Sequence, residues 1–467
     1  MNLARKLLSC YLTEVVERQL DKQLATEETT IWIALSGGLD SVVLLNLLAN
    51  SKRYLKRLKA IHVHHGLSEN ADEWQLFCQQ LCAQLNVPLT VKKVTVISRN
   101  QGLEQAARKA RYNAFSEELK AGEYLITAHH GDDQIETFFQ RLMRGAGIQG
   151  LSAMADARNE KHYVLLRPLL SCQRSQLVDY ANTKRLNWIE DESNHDQRFD
   201  RNWWRHKVLP MLWARYPGRQ ASVLRSIEQL RRDHEVLQEL LQPKLEICLT
   251  DSVWPGTVSQ KIQLSQLSKH SQPVQACILR TWFRLNGINS PSAIQLQCVF
   301  SEIIAAQADK QPELLLDGHV LRRFDNALFL CHAERGTHAQ NMSVRLPESD
   351  DGNEKSFAAI NWQSGKLQVK ANSRNGDAEP LLPGNYTLMA AKRISAGLIR
   401  PQGRPAKKLK HIWQEHKIPP WLRSQWPCLV ADNGDLVSVI NLVVDSQYIA
   451  ESGYTLSWGR QEKHNEK

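Results

Sequence analysis

The sequence predicts an α/β fold, in which a domain with a doubly wound parallel sheet precedes two smaller α+β domains. Three features indicate this arrangement. Strand-like apolar runs alternate with helical stretches between residues 31 and 127, a glycine turn joins the first strand to the first helix, and long amphipathic helices replace the alternation after residue 217. Strands separated by helices of this length form parallel sheets.

Four runs supply the predicted strands, and helical stretches lie between them. The strands are IWIAL (31–35), KAIHVH (59–64), LTVKKVTV (89–96) and YLIT (124–127), and the helices cover 41–49, 70–85 and 103–119. Three polar turns follow strands: SGGLDS (36–41), HVHHGL (62–67) and TAHHGDD (127–133). Because parallel sheets bind ligands at the carboxyl ends of their strands, we expect the functional site there.

The C-terminal half is predicted to form two further domains. Residues 219–242 form a helix with one apolar face, which carries Leu224, Ile227, Leu230, Val236 and Leu240. Helices near 272–286 and 292–306 follow, and then a hairpin at 319–330. A polar stretch with an acidic cluster (Glu348, Asp350, Asp351 and Glu354) indicates a linker. The predicted divisions are a catalytic domain at 1–217, a helical or α+β domain at 218–335, a linker at 336–356 and a small basic domain at 357–467.

Composition restricts the class of protein. The 467 residues carry a net charge of +10 and a pI of about 9.1, which favours a polyanionic partner. Nine cysteines without a CxxC pair argue against a disulfide scaffold or a zinc finger. The N-terminus is a charged amphipathic stretch rather than a signal peptide, and no apolar run approaches the roughly 20 residues that span a bilayer. We therefore expect a reduced, cytoplasmic protein that does not bind membranes.

The turn SGGLDS has the composition of an anion-binding loop. Gly37 and Gly38 allow the backbone to approach a ligand, and the N–H groups of the next helix, from Leu39 onward, point towards it. Ser36 and Ser41 add hydroxyl donors at the two ends of the loop. The loop has no lysine, so it is not a Walker P-loop.

A carboxylate in such a loop needs a cation. Asp40 would repel a phosphate unless a metal ion lies between them, and Mg²⁺ prefers a carboxylate together with phosphate oxygens. The alternative is an ordinary glycine turn capped by a serine. The preceding strand, the second serine and the aspartate together favour a site for phosphate and Mg²⁺.

These motifs resemble a known family. SGGLDS resembles the PP-loop of the N-type ATP pyrophosphatases, which cleave ATP between the α- and β-phosphates. Five further segments resemble the tRNA(Ile)-lysidine synthetases: HVHHGLS (62–68), LEQAARKARYNAF (103–115), AHHGDDQIETFFQRLMRGAG (128–147), WIEDESNHDQRFDRNWWRHKVLPML (188–212) and GRPAKKLKHIWQEHKIPPWLRSQWP (403–427). The resemblance covers nearly the whole chain and is weakest over 243–390. Gly131 and the pair Trp203–Trp204 depart from the family pattern.

The resemblance implies a two-step reaction with ATP and Mg²⁺. The 2-carbonyl of the wobble cytidine in an isoleucine tRNA with a CAU anticodon is adenylated, and the ε-amine of free lysine then replaces AMP. The product, lysidine, changes codon reading and aminoacylation from methionine to isoleucine. The family also implies a possible homodimer, and it implies that His64 contacts ATP.

The helix after AHHG carries a pair of carboxylates. Asp133 and Glu136 are three residues apart and share a helix face. Such a pair can hold an ammonium group and can accept a proton from an attacking amine. By resemblance, the two positions match the lysine-binding acidic residues of the family. The alternative is a solvated acidic helix start, and Asp132 is expected to cap the helix.

Four arginines are candidates for phosphate contacts. Arg201 and Arg205 lie one turn apart, so their guanidinium groups suit a pyrophosphate leaving group or an RNA phosphate. The alternative is a surface helix with paired arginines. Arg108 and Arg111 also share a face, and we expect at least one of them near phosphate or the target nucleotide.

The C-terminal segment has the composition of an RNA-binding surface. Nine basic residues and a single acid lie between Lys392 and Arg423, and three tryptophans, Trp413, Trp421 and Trp426, lie in or next to this segment. Basic side chains neutralise phosphates, and aromatic rings stack on unpaired bases. The tRNA-binding candidates here are Arg404, Lys408, Lys410 and Arg423. For at least two of the tryptophans we expect core packing instead.

Two other functions compete with this interpretation. A tRNA 2-thiolase acting on cytidine would need a catalytic cysteine or cysteine pairs that hold an iron–sulfur cluster, and the scattered thiols argue against it. A non-catalytic RNA-binding protein with a degenerate nucleotide fold would not need to retain the carboxylate of Asp40 in its phosphate loop.

Overall fold

A computed structural model describes most of the chain. The described residues are 2–24, 26, 28–96, 102–160, 162–192, 200–307, 310–333, 341–347, 360–362, 365–373, 379–394 and 397–460. The chain divides into two compact units, Met1–Gln238 and Glu239–Lys467. The division falls inside one long helix, and our boundaries between domains remain predictions.

The first unit contains the elements that the alternating pattern predicts. Its helices are α1 (Asn2–Asp21), α2 (Leu39–Ala49), α3 (Ala71–Gln84), α4 (Leu103–Glu118), α5 (Gly131–Met143), α6 (Ile148–Leu151), α7 (Arg174–Lys184), α8 (Asp200–Trp203), α9 (Leu209–Arg215) and the start of α10 (Gln220–Cys248). Its strands are β1 (Ile31–Ala34), β2 (Leu58–His64), β3 (Leu89–Lys93), β4 (Tyr124–Ile126), β5 (Ala157–Asn159) and β6 (Val164–Leu166). A π-helical turn, Trp204–Val208, joins α8 to α9.

These strands form one sheet in the order β3-β2-β1-β4-β6-β5. All neighbours are parallel except the edge pair β5 and β6. Strand β1 is covered on both faces, because Ile31 and Ile33 pack into one hydrophobic cluster and Trp32 into another. This explains its continuous apolar sequence and confirms the predicted doubly wound sheet.

The second unit is built mainly from antiparallel sheets. Its strands are β7 (Leu249–Asp251), β8 (Gln260–Gln263), β9 (Glu313–Leu316), β10 (His319–Phe324), β11 (Ala327–His332), β12 (Met342–Leu346), β13 (Ile360–Trp362), β14 (Gly365–Ser373), β15 (Gly384–Ala390), β16 (Leu398–Ile399), β17 (Lys407–Lys408), β18 (Pro427–Ala431), β19 (Leu436–Val439), β20 (Val443–Val444) and β21 (Ser452–Arg460). Its helices are α11 (Leu264–Leu267), α12 (Gln272–Leu285), α13 (Ala293–Cys298), α14 (Leu409–Glu415) and α15 (Pro420–Arg423). A five-stranded sheet, β7-β8-β11-β10-β9, precedes the C-terminal sheets, of which the largest is β12-β15-β18-β19-β20.

Two sequence predictions for this half need correction. Strand β12 lies inside the predicted linker 336–356 and pairs with β15, because Val344 and Leu346 are buried in the C-terminal core. The acidic cluster of that linker lies outside the described residues. The apolar face of α10 is also less buried than its periodicity suggests, since Val236 and Leu240 are 55% and 64% exposed. The hairpin at 319–330 and the long helix itself are confirmed.

Candidate active site

The loop of residues 36–41, hereafter the glycine loop, connects β1 to α2. Gly37 has a φ of +87°, and a Cβ atom there would lie 2.6 Å from Ile189 Cδ1 and 3.2 Å from Cys78 Sγ. Both the backbone conformation and the lack of space therefore require glycine. The N–H of Ile189 donates to the carbonyl of Gly37 at 2.9 Å, which fixes the loop to the segment before α8.

The glycine loop presents hydrogen-bond donors at the start of α2. The hydroxyl groups of Ser36 and Ser41 lie 3.1 Å apart, and the Ser41 hydroxyl donates to the carbonyl of Gly38 at 2.9 Å. Gly38 occupies the N-cap position and has no side chain to accept the first amide groups of α2. Those amides and the helix dipole can therefore bind an anion.

Asp40 places a carboxylate at this anion-binding end. Its Oδ2 lies 3.5 Å from His130 Nε2, whereas its Oδ1 is buried and has no hydrogen-bond partner. A buried carboxylate oxygen without a partner is costly and suits a cation that arrives with the ligand. The donor set therefore fits the predicted Mg²⁺.

His130 joins the glycine loop to helix α5. It is completely buried, and its Nε2 lies 3.5 Å from both Asp40 Oδ2 and Asp133 Oδ2. Burial opposes the charged form of the imidazole, but the carboxylates of Asp133, Asp40 and Asp132 outweigh it and raise the pKa of His130. The imidazole of His130 thus lies between two acidic side chains from different elements. We did not single out His130, because nothing in AHHG distinguishes it from the neighbouring His129.

Asp133 and Glu136 form a buried cluster with Arg201 and Arg205. Arg201 donates from Nε to Glu136 Oε2 and from Nη2 to Asp133 Oδ1, each at 2.7 Å. Arg205 donates from Nε to Glu136 Oε1 at 2.6 Å. Its Nη2 donates to Asp133 Oδ1 at 2.9 Å and to Glu136 Oε2 at 3.1 Å. The residues Asp133 and Glu136 are only 6% and 1% exposed.

This cluster excludes the alternative of a solvated acidic helix start, and it pairs both arginines with the carboxylates of α5. Burial alone would raise the pKa of Asp133, but its attraction to His130, Arg201 and Arg205 holds the pKa well below its usual range. Asp133 Oδ2 also accepts the backbone N–H of His130 at 3.0 Å, so Asp133, and not Asp132, caps α5. Asp132 instead accepts the N–H of Arg174, the first residue of α7, at 3.1 Å.

The other predicted residues of the first unit lie on β2 and α4. His64 ends β2, with its Nε2 3.1 Å from Asp72 Oδ1. Arg108 and Arg111 are exposed on α4, where Arg108 lies over the ring of Tyr112 and Arg111 Nε donates to His65 Nε2 at 3.3 Å.

His129 carries no charge near neutral pH. It is partly buried, and its Nδ1 lies 2.9 Å from the Thr127 hydroxyl. Burial, aided by nearby arginines, lowers the pKa of His129 to about 3. The pKa values of these adjacent histidines therefore shift in opposite directions, because burial prevails at His129, whereas nearby carboxylates outweigh burial at His130.

The basic C-terminal candidates differ in accessibility. Arg404, Lys408 and Lys410 are exposed, and Arg404 pairs with Glu415 at 3.0 Å. Arg423 is partly buried and donates to the carbonyl of Ile418 at 2.9 Å, so it stabilises the loop before α15. Two of the three tryptophans, Trp413 and Trp426, are buried, which confirms our expectation of core packing. Trp421 is partly buried against Phe324 and Phe329.

The described residues contain neither a ready-made cluster of metal ligands nor a membrane-spanning helix. Among them, no group of three or more histidine, cysteine, aspartate or glutamate side chains could hold a metal ion. None of the helices in the described parts of the chain is long and apolar enough to cross a membrane.

Comparisons with known proteins show the family of this chain. A family model of the PP-loop domain matches residues 12–212, a model of the TilS substrate binding domain matches 263–329, and a model of the TilS substrate C-terminal domain matches 388–458. A tRNA(Ile)-lysidine synthase of Vibrio atlanticus (strain LGP32) is 35% identical over 437 residues, which are 91% of this chain and 95% of the relative. The enzyme of the same name from Serratia proteamaculans (strain 568) is 37% identical over 443 residues, 94% of this chain and 95% of the relative. Among solved structures, the U34-tRNA thiolase NcsA of Methanococcus maripaludis matches 48% of this chain and 79% of its own, with 16% identity and a TM-score of 0.40.

Proposed function

Because the chain belongs to the tRNA(Ile)-lysidine synthase family, we propose that it converts the wobble cytidine of isoleucine tRNA with a CAU anticodon into lysidine. It is an ATP-dependent ligase that modifies tRNA, and ATP is its co-substrate. The observation that supports the proposed site best is the single imidazole of His130, which connects the carboxylate of the glycine loop to the buried pair Asp133 and Glu136. One residue thereby joins the two halves of a two-step reaction.

The first step takes place at the glycine loop. The amides and hydroxyls of residues 36–41 bind the phosphates, and the adenosine lies towards His64 at the end of β2. Asp40 would hold a Mg²⁺ ion, which neutralises phosphate charge. The 2-carbonyl oxygen of the cytidine attacks the α-phosphorus, the bond to the β-phosphate breaks, and pyrophosphate leaves with the electron pair of that bond.

The second step uses the carboxylates of α5. Asp133 and Glu136 bind the ε-ammonium of lysine, and a carboxylate accepts the proton that the nitrogen must lose before it becomes a nucleophile. The neutral amine attacks carbon 2 of the base, and the bond to the activating oxygen breaks with release of AMP. Arg201 and Arg205 offer guanidinium groups to the leaving phosphates.

Exposed basic residues on both units are suited to hold the tRNA. Arg108 and Arg111 lie on α4 of the catalytic unit, and Arg404, Lys408 and Lys410 lie on the C-terminal domain. We retain Arg423 as a weaker candidate, since its side chain already binds a backbone carbonyl. A homodimer and a cytoplasmic location also remain part of the proposal.

Incorporation of radiolabelled lysine tests the proposal. The purified protein is given ATP, Mg²⁺ and either the CAU isoleucine tRNA transcript or the same transcript with the wobble cytidine changed to uridine. Label that enters only the first transcript, and only with ATP, supports the reaction, the substrate and the position. Pyrophosphate release without incorporation of lysine would instead indicate adenylation followed by a different nucleophile, and sulfide would be tested next.

A further inference from the structure

Arg201 and Arg205 occupy the acceptor positions that a lysine side chain would need. Each carboxylate of the pair accepts three short hydrogen bonds: five come from the two guanidinium groups, and the sixth comes from the backbone N–H of His130. An ammonium group brings three further donors and no acceptor. The two carboxylates keep only about two of their roughly eight acceptor sites, so the three donors of a lysine ε-ammonium cannot all be paired between Asp133 and Glu136 while both arginines remain there.

The charge balance leads to the same conclusion. Two guanidinium groups already pair with the two carboxylates and balance their charge. An additional ammonium would enter a buried cluster whose two carboxylates are already balanced, and it would be repelled by both guanidinium groups. In this arrangement the site is closed to free lysine.

The two guanidinium groups can turn towards another anion. The side chains of Arg201 and Arg205 are 30% and 28% exposed, whereas those of Asp133 and Glu136 are 9% and 2% exposed. The arginines thus form the outer side of the cluster. Asp40 of the glycine loop is separated from Asp133 by only the imidazole of His130, so the phosphates of a bound nucleotide would lie close to them. A guanidinium pairs with phosphate as well as with carboxylate, by two parallel hydrogen bonds.

We propose that Arg201 and Arg205 exchange partners during the reaction. They hold Asp133 and Glu136 in the free enzyme, move to a phosphate group once substrate is bound, and thereby open the carboxylate pair to the ε-ammonium of lysine. This inference rests on the proposed function, and it assigns the two arginines a positioning role that sets the order of binding. Because coupling is reciprocal, lysine must strengthen phosphate binding by the same factor by which phosphate strengthens lysine binding.

Calorimetric titration of L-lysine into the full-length protein tests the exchange. Four samples are compared: the protein alone, with a non-cleavable ATP analogue that has a methylene group between the α- and β-phosphorus plus Mg²⁺, with the CAU transcript, and with both. We expect the Kd for lysine to fall at least tenfold in one or more of the loaded samples. The sample that shows the fall identifies the phosphate as that of the nucleotide or that of the RNA.

The substitution Arg205→Gln tests the same exchange through the affinity for lysine in the absence of other ligands. Arg205→Gln removes a competing cation, so we expect it to bind lysine more tightly than the wild type when neither protein carries another ligand, and to lose much of the coupling. Lys207→Gln is the matched control, because it removes a charge from the same helical segment at an exposed position. Thermal unfolding identifies any variant that fails to fold, and the wild-type comparison then decides alone.

The outcomes separate this inference from the proposed function. A wild-type protein that forms lysidine but binds lysine equally well with and without nucleotide and tRNA would overturn the exchange and leave the proposed function intact. Weaker lysine binding by a folded Arg205→Gln protein without other ligands would also overturn it. A protein that incorporates no lysine would overturn the proposed function itself.

Discussion

Glu136→Gln is the substitution that examines the buried cluster most sharply. It keeps the shape of the side chain, removes its charge, and turns an NH₂ group towards arginine donors. Glu136 is 1% exposed and accepts three hydrogen bonds. They come from Arg201 Nε at 2.7 Å and from Arg205 Nε and Nη2 at 2.6 and 3.1 Å. Breaking a buried ion pair costs about 3–5 kcal/mol. Glutamine retains one acceptor oxygen, so we expect a loss of stability of about 3 kcal/mol.

A loss of this size should leave the protein folded, because domains are stable by roughly 5–15 kcal/mol. Urea unfolding measures the loss, and Glu118→Gln is the control. Glu118 pairs with Lys92 at 2.6 Å in a partly exposed position, where a salt bridge contributes only about 0–1 kcal/mol. If both variants lose the same stability, the cluster around Glu136 does not stabilise the fold in the way its geometry indicates.

The same variant separates the two chemical steps. Pyrophosphate release with ATP and the CAU transcript depends on the glycine loop, so it should persist in Glu136→Gln. Lysine use should weaken, with a rise in the KM for lysine of at least about tenfold, equivalent to about 1.4 kcal/mol of binding. A folded variant with an unchanged lysine dependence would refute the assignment of Glu136 to the lysine site.

Three other predictions concern Asp40 and Gly37 of the glycine loop and His129 before helix α5. Asp40→Asn should abolish pyrophosphate release in a folded protein, because the buried Oδ1 that suits Mg²⁺ loses its charge; release at the wild-type rate would contradict this role. Gly37→Ala should raise the KM for ATP and cost about 1–3 kcal/mol, since the residue has a φ of +87° and a Cβ would lie 2.6 Å from Ile189 Cδ1; urea unfolding and ATP titration measure both. The pKa of His129 is about 3 in the folded state and roughly 6.5 in the unfolded state. Between these pH values the unfolded state binds more protons than the folded state. The free energy of unfolding therefore falls as the pH drops through this window, by up to about 1.4 kcal/mol per pH unit. His129→Gln should lose stability less steeply than the wild type in urea unfolding between pH 6.5 and 5, and parallel curves would contradict the assigned shift.

Local patterns predicted the parts of the site that lie within one element. The strand, the glycine loop and the start of α2 are contiguous, so their composition alone indicated an anion-binding turn. The shared face of Asp133 and Glu136 followed from helical periodicity in the same way. These features depend on neighbouring residues, and a single sequence is sufficient to find them.

Long-range pairing was not predictable to the same degree. The ion pairs between α5 and the helical segment from residue 200 onward join residues 65–72 positions apart. Periodicity placed Arg201 and Arg205 on one face but did not indicate what that face contacts. The raised pKa of His130 likewise depends on Asp133 and on Asp40, and Asp40 lies 90 positions earlier and approaches it only through the parallel order of β1 and β4.

Strand β12 could not be distinguished from a linker by its sequence. Its segment alternates exposed and buried residues over only five positions, within a stretch whose polar composition indicated a linker. Only the pairing with β15 makes it a strand, because the backbone groups that face β15 then have partners across the sheet. The choice between linker and edge strand therefore depended on tertiary context.

Mass spectrometry of the modified tRNA tests the central claim most directly. The CAU transcript is incubated with the protein, ATP, Mg²⁺ and lysine, digested to nucleosides, and examined for lysidine, while AMP and pyrophosphate are quantified in the same reaction. We expect lysidine, AMP and pyrophosphate in equal amounts, with the loss of one cytidine per tRNA and none from a transcript with uridine at the wobble position. Cytidine that remains unmodified while ATP, lysine and a folded protein are all present would contradict the assignment of this chain as a lysidine-forming enzyme.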